Sequence, residues 1–141
     1  MIRTAIASWS GNLKEGRGHI STQSQVLSNA QYGFNTRFED GPGTNPEELI
    51  GAAHAGCFSM ALAARLSEMN LTIANIQTSA AVTLEQAGKE FTITAVRLDL
   101  SAKVDGINAE EFERIANEVK SACPVSKVLN AKISLFVEFQ N

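Results

Sequence analysis

Cysteine is scarce in this chain. Cys57 and Cys123 are the only two in 141 residues, too few for a disulfide scaffold and too far apart for a CxxC pair. In a reducing compartment such thiols are most often unpaired core residues. Basic runs are missing too. The formal net charge is −3 with both signs mixed along the chain, which argues against a nucleic acid or an anionic membrane surface as partner. The opening MIRTAIASW lacks the apolar core of a signal peptide, so the expected location is the cytoplasm. Repeats and low-complexity segments are absent, and the length fits one domain over residues 1–141. A metal site is poorly supplied: His54 and Cys57 give two ligands where structural zinc takes four.

What is present is one long apolar stretch, Asn45 to Met69. Asn45 suits an N-cap, and Pro46 then takes the first helical position, where its missing N–H costs nothing. Glu48 stands at the capping-box spacing from Asn45. From Leu49 to Ala64 only His54 and Ser59 are clearly polar. A helix apolar on nearly all sides is expected to be buried. Gly51, Ala52, Ala53, Ala55 and Gly56 give it a thin waist that lets other backbones approach. Its apolar part looks too short for a membrane span, which needs roughly 18–20 residues. It reads as a core helix.

The rest of the chain alternates strand and helix patterns. Residues 2–9 read as a strand, SGNLKEGRG as a turn, and His19 to Leu27 as the returning strand. YGFNTRFE (Tyr32 to Glu39) reads as a short strand with Phe34, Thr36 and Phe38 on one face and Arg37 on the other. Ile76 to Leu84 alternates cleanly. In the next strand the apolar positions pass from odd (Phe91, Ile93) to even (Val96, Leu98, Leu100). A β-bulge near Thr94–Ala95 would keep them on one face. Asn108 caps an amphipathic helix over 109–122, Pro124 to Leu129 is a short helical segment, and Ile133 to Phe139 is the last strand. The order β-β-β-α-β-β-α-β argues an α+β fold with mostly antiparallel sheet.

Two readings of Cys57 stay open. It is either a small apolar filler or a nucleophilic thiolate. It lies about three turns from its own helix start, so a low pKa would need a cation from elsewhere. His54, one turn back on the same face, is a candidate, and so is Arg37, whose planar fork of donors suits a thiolate or a carboxylate. Arg17 sits in a Gly-rich turn and reads as exposed. Glu47 and Glu48 both suit the helix macrodipole, but only Glu48 suits the capping box. Glu47 is ~15 Å along the axis from Cys57; a thiol it serves belongs to another subunit. Cys123, at the mouth of a short helix, is either a buried residue or the partner that resolves an oxidised Cys57.

NPEELIGAAHAGCFSMAL, the upstream YGFNTRFE and the downstream CPVSKVL together resemble the OsmC/Ohr family of thiol peroxidases, in particular its OsmC branch. The likeness covers essentially the whole chain. It implies an intertwined homodimer in which two β-sheets wrap around long central helices. It implies reduction of hydroperoxides, organic ones preferred, without metal or organic cofactor. On this sequence it implies Cys57 as the peroxidatic cysteine, Cys123 as the resolving one joined to it in an intrasubunit disulfide, Glu47 as the acid, and Arg37 as the arginine, with Arg17 in the place the Ohr branch uses. The reductant it implies is an external dithiol of the lipoyl type. The alternative is a non-enzymatic dimer on the same scaffold, sensing oxidation or binding an apolar ligand.

Overall fold

The structure is a computed structural model that describes all 141 residues. The chain runs β1 Ala5–Ser10, β2 Arg17–Thr22, β3 Ala30–Tyr32, α1 Phe34–Phe38, α2 Pro46–Glu68, β4 Thr72–Ala87, β5 Glu90–Asp105, α3 Ala109–Ala122, α4 Pro124–Val128 and β6 Lys132–Gln140. It divides into two compact units, Met1–Leu49 and Ile50–Asn141.

The first unit is an antiparallel sheet in the order β1-β2-β3. Its register runs from Ala5 opposite Thr22 to Ser10 opposite Arg17. Gly18 lies under two rings: a Cβ there would stand 2.4 Å from the Tyr32 ring and 2.8 Å from Trp9. Its bare backbone lets Trp9 and Tyr32 meet with centroids 5.7 Å apart. The strands are shorter than the alternation suggested. Ile2 is exposed ahead of β1, and β2 stops at Thr22, where the Thr22 amide donates to the Leu27 carbonyl and Gln25 adopts a positive φ.

YGFNTRFE is not a strand. Tyr32 ends β3, and Phe34–Phe38 is a single helical turn. The reason lies in the spacing. Phe34 and Phe38 are four apart, so they share a face in a helix as well as in a strand, and here their rings pack at 5.0 Å. The Gly33 amide donates to the Thr36 hydroxyl at 2.8 Å, and that hydroxyl donates to the Gly33 carbonyl at 2.9 Å. Arg37 therefore stands on the last turn of a short helix rather than on a strand.

The second unit is a sheet in the order β4-β5-β6, with β4 antiparallel and β6 parallel to β5. The helices α3 and α4 form the crossover that a parallel pair requires. The bulge falls where the sequence pattern changes. Thr83 faces Ala95 and Leu84 faces Ile93, so Thr94 is the extra residue. Beyond it Val96, Leu98, Leu100, Ala102 and Val104 all point inward and are buried. They pack with Phe112, Ile115, Ala116 and Val119 of α3 and with Phe58, Leu62 and Leu66 of α2. Asn108 caps α3, accepting from the Glu111 amide at 2.8 Å.

In the central helix α2 the cap is as expected: the Asn45 side chain accepts from the Glu48 amide at 2.8 Å. The capping box does not close. The Glu48 carboxylate instead accepts from the Thr44 hydroxyl at 2.7 Å. Nor is the helix buried on every side in one chain. His54, Phe58, Leu62 and Leu66, four apart, form the buried face. Ala52, Ala53, Gly56 and Met60 are exposed. At 23 residues, α2 is also long and apolar enough to cross a membrane by length and composition, so the short-helix expectation does not hold. One face of it, carrying Phe58, Leu62 and Leu66, joins the core formed with β5 and α3.

One residue on the buried face is polar. His54 is fully buried, its Nε2 lies 2.7 Å from the Ser126 hydroxyl, and its Nδ1 has no partner. Burial disfavours the charged ring and lowers its pKa below 6.5. As pH falls below 6.5, the unfolded chain takes up a proton at His54 that the folded chain refuses, so stability falls with pH. The loss stops once the folded ring also protonates. Urea titrations should show wild type losing up to about 1.4 kcal/mol per pH unit in that window from this group. His54→Gln should lack this component; an identical acid slope in both proteins would contradict the assignment.

Candidate active site

The second unit brings the two thiols together. Cys57 sits on α2, immediately before the buried Phe58 and one turn after His54. Cys123 sits at the break between α3 and α4. Its amide closes α3 by donating to the Val119 carbonyl at 2.9 Å, and Pro124 then begins α4. Cys57 is half-buried and Cys123 fully buried; both are reduced. The two thiols are neighbours, close enough that each acts on the other's ionisation.

Their electrostatics differ. Burial pushes the Cys57 thiol up; the Val125 amide opposes this only in part, and the neighbouring Cys123 adds to the rise. Burial also acts to raise Cys123, but it is outweighed. Cys123 stands at the N-cap of α4, where no short capping bond closes, yet the Ser126 and Val125 amides, the Cys57 thiol and the Ser126 hydroxyl all favour its ionised form. Its pKa is lowered. Within this unit Cys123 is the thiol that ionises more readily. The residues acting on Cys57 here are Val125 and Cys123, and neither is a cation.

Ser126 is the residue the sequence reading missed. Its position in CPVS was the available signal. Three residues along a helical turn bring a side chain back over the starting one, so a serine there faces the cysteine at the turn's entrance. It links Cys123 to His54, whose hydrogen-bond partner is Ser126.

The first unit holds the charged pair. Arg37 donates to Glu47 Oε1 twice, from Nε at 3.0 Å and from Nη2 at 2.7 Å. Glu47 is buried, with a side chain 11% exposed against 35% for Arg37. The capping-box spacing gave Glu47 no partner; the bonds from Arg37 supply one. Asn45 ties the start of α2 to α1 by donating to the Thr36 carbonyl at 2.9 Å, which holds the pair in register. Arg37 also edges an apolar cavity of about 300 Å³ walled by Trp9, Leu13, Tyr32, Phe34 and Phe38. Arg17 is elsewhere, exposed at the start of β2 opposite Ser10.

Comparisons with known proteins agree on one family. A family model described as OsmC-like protein matches residues 39–138. Peroxiredoxin OsmC of Escherichia coli strain K12 is 51% identical over 129 residues, which covers 92% of this chain and 90% of that protein. The crystal structure of the organic hydroperoxide resistance protein OhrB of Bacillus subtilis superposes with a TM-score of 0.70 at 26% identity, covering 96% of this chain and 98% of that one. The OsmC-like protein VCA0330 of Vibrio cholerae reaches a TM-score of 0.78 at 14% identity over 98% and 99% of the two chains, a likeness of fold alone. With a thiol pair in one core, an Arg–Glu pair at the head of the same long helix, and this degree of identity, the chain belongs to the OsmC/Ohr family, on its OsmC branch.

Proposed function

We propose that this protein is a cysteine-based peroxidase that reduces organic hydroperoxides, and hydrogen peroxide, through a Cys57 sulfenic acid resolved by Cys123. The observation that carries this reading is the closeness of two reduced thiols inside one apolar unit. Relatives named peroxiredoxin and organic hydroperoxide resistance protein support it.

The chemistry follows from the residues. Cys57 as thiolate attacks the distal peroxide oxygen. The S–O bond forms, the O–O bond breaks, and the departing alkoxide or hydroxide takes a proton to leave as alcohol or water. Burial and the neighbouring thiol push Cys57 up within its own unit, so the nucleophile needs a cation. Arg37 supplies it, and Glu47 fixes the guanidinium so that its remaining donors face the thiolate and the peroxide. The apolar cavity beside Arg37 receives the carbon portion of an organic hydroperoxide. Cys123 then closes an intrasubunit disulfide, and an external dithiol of the lipoyl type reopens it.

The working form is a cytoplasmic homodimer of one 141-residue domain. The exposed Ala52, Ala53, Gly56 and Met60 on α2 support a second chain against that face. The Arg37–Glu47 pair serves a thiolate across the dimer, since helix rise keeps Glu47 ~15 Å along the axis from its own Cys57.

Two assays test the reading. Steady-state consumption of an organic hydroperoxide with a lipoyl dithiol should vanish in Cys57→Ser; undiminished turnover in that variant would end the proposal, and wild type that oxidises once but never turns over would favour a sensor. Arg37→Gln should keep the fold and lower kcat/KM by about 10²-fold, the scale set by losing one charge-stabilising donor group. A wild-type rate in that variant would remove Arg37 from the site.

A further inference from the structure

The peroxidase reading uses Cys57, Cys123, Arg37 and Glu47. It leaves a buried imidazole unexplained. His54 is fully enclosed, contacts the Ser126 hydroxyl at 2.7 Å through Nε2, and leaves Nδ1 without a partner. Ser126 stands three residues after Cys123, on the turn that Cys123 opens, and its hydroxyl is among the groups that favour the Cys123 thiolate. A continuous polar path therefore runs from α2 through α4 to the resolving thiol, inside a core that is otherwise apolar.

The direction of that path can be assigned. Buried N–H groups without a partner are rarer than under-satisfied buried acceptors. The orphan Nδ1 is therefore the bare nitrogen, and the proton is on Nε2. Nε2–H then donates to Ser126 Oγ, which occupies an oxygen lone pair and turns the hydroxyl hydrogen away from His54. The group that hydroxyl acts on is the Cys123 thiolate, which it favours. A hydroxyl that is itself an acceptor is a better donor, because hydrogen bonds in a chain polarise one another.

We propose that the Nε2–H tautomer of His54 orients the Ser126 hydroxyl onto the Cys123 sulfur, making His54 and Ser126 positioning residues for the resolving step. The inference rests on the peroxidase reading. In that step Cys123, as thiolate, attacks the sulfur of the Cys57 sulfenic acid. The electron pair of the new S–S bond comes from Cys123. The S–O bond breaks, and hydroxide departs with the proton that Cys123 gave up, leaving as water. His54 keeps its proton throughout. The titratable group acting directly on Cys123 is Cys57 on α2, and His54 stands one hydroxyl away through Ser126. The depression of the Cys123 pKa, to which the Ser126 hydroxyl contributes after the burial penalty and the amides, agrees with this direction.

The test is the rate of Cys57–Cys123 disulfide formation after one equivalent of cumene hydroperoxide, followed by rapid mixing, acid quench and mass spectrometry across a pH series. Trapping of the sulfenic acid measures the first step separately. Ser126→Ala should move the midpoint of the resolution profile up by about one pH unit, as expected for losing a hydrogen bond to a charged group. His54→Leu should move it in the same direction by less, and His54→Gln, whose Nε2–H reproduces the donor, should restore the wild-type midpoint. Sulfenic acid formation should keep its rate in all three. Unmoved midpoints in both Ser126→Ala and His54→Leu would overturn the inference, as would equal slowing of both steps without a shift, which marks a purely structural role. Wild type that forms no disulfide would instead overturn the peroxidase reading beneath it.

Discussion

The closeness of Cys57 and Cys123 is the constraint on which the rest depends. It requires that a continuous helix and a helix break meet inside one core. Phe58, Leu62 and Leu66 fix the face that α2 turns to β5. Pro124 forces α3 to end where it does, with Cys123 as the last residue before the new turn. Neither thiol is held by the other. The surrounding apolar packing of sheet and helices places both, and it does so while burying Cys123 completely. Burial alone would make both sulfurs poor nucleophiles. The amides at the entrance of α4 and the Ser126 hydroxyl reverse that for Cys123, and nothing in the same unit reverses it for Cys57.

On the proposed peroxidase chemistry, that difference is the reason Cys57 needs a cation from elsewhere. A thiol kept neutral by its own surroundings needs a charge brought to it. We assign that charge to Arg37, which donates twice to one oxygen of Glu47, buried at the first turn of α2. Glu47 thereby leaves part of the Arg37 fork uncommitted. Ala52, Ala53, Gly56 and Met60 are exposed and uncharged on α2, the face on which the proposed second chain would lie.

Much of this was legible in the residues, and the exceptions have physical causes. The caps at Asn45 and Asn108 and the bulge at Thr94 are local events, written in side chains a few positions apart. The α+β class followed from the pattern of apolar periods. The short helix at Phe34–Phe38 was misread because a spacing of four satisfies both a two-residue and a near-four-residue period. The Glu48 box stays open, its carboxylate accepting from the Thr44 hydroxyl instead. The parallel pairing of β6 with β5, the partner of Glu47 and the role of Ser126 are tertiary or nearly so, and alternation carries no record of them. The family likeness of NPEELIGAAHAGCFSMAL and CPVSKVL implied roles for Glu47, Cys57 and Cys123; the fold brings the two thiols near each other, which no spacing implied.

The central claim is that peroxide drives the two neighbouring thiols into one bond within a single chain. The direct measurement is non-reducing peptide mapping by mass spectrometry after a single equivalent of organic hydroperoxide. The account predicts a Cys57–Cys123 linked peptide, with the chain remaining monomeric on a non-reducing gel. Two unmodified thiols, or a disulfide joining separate chains, would contradict it.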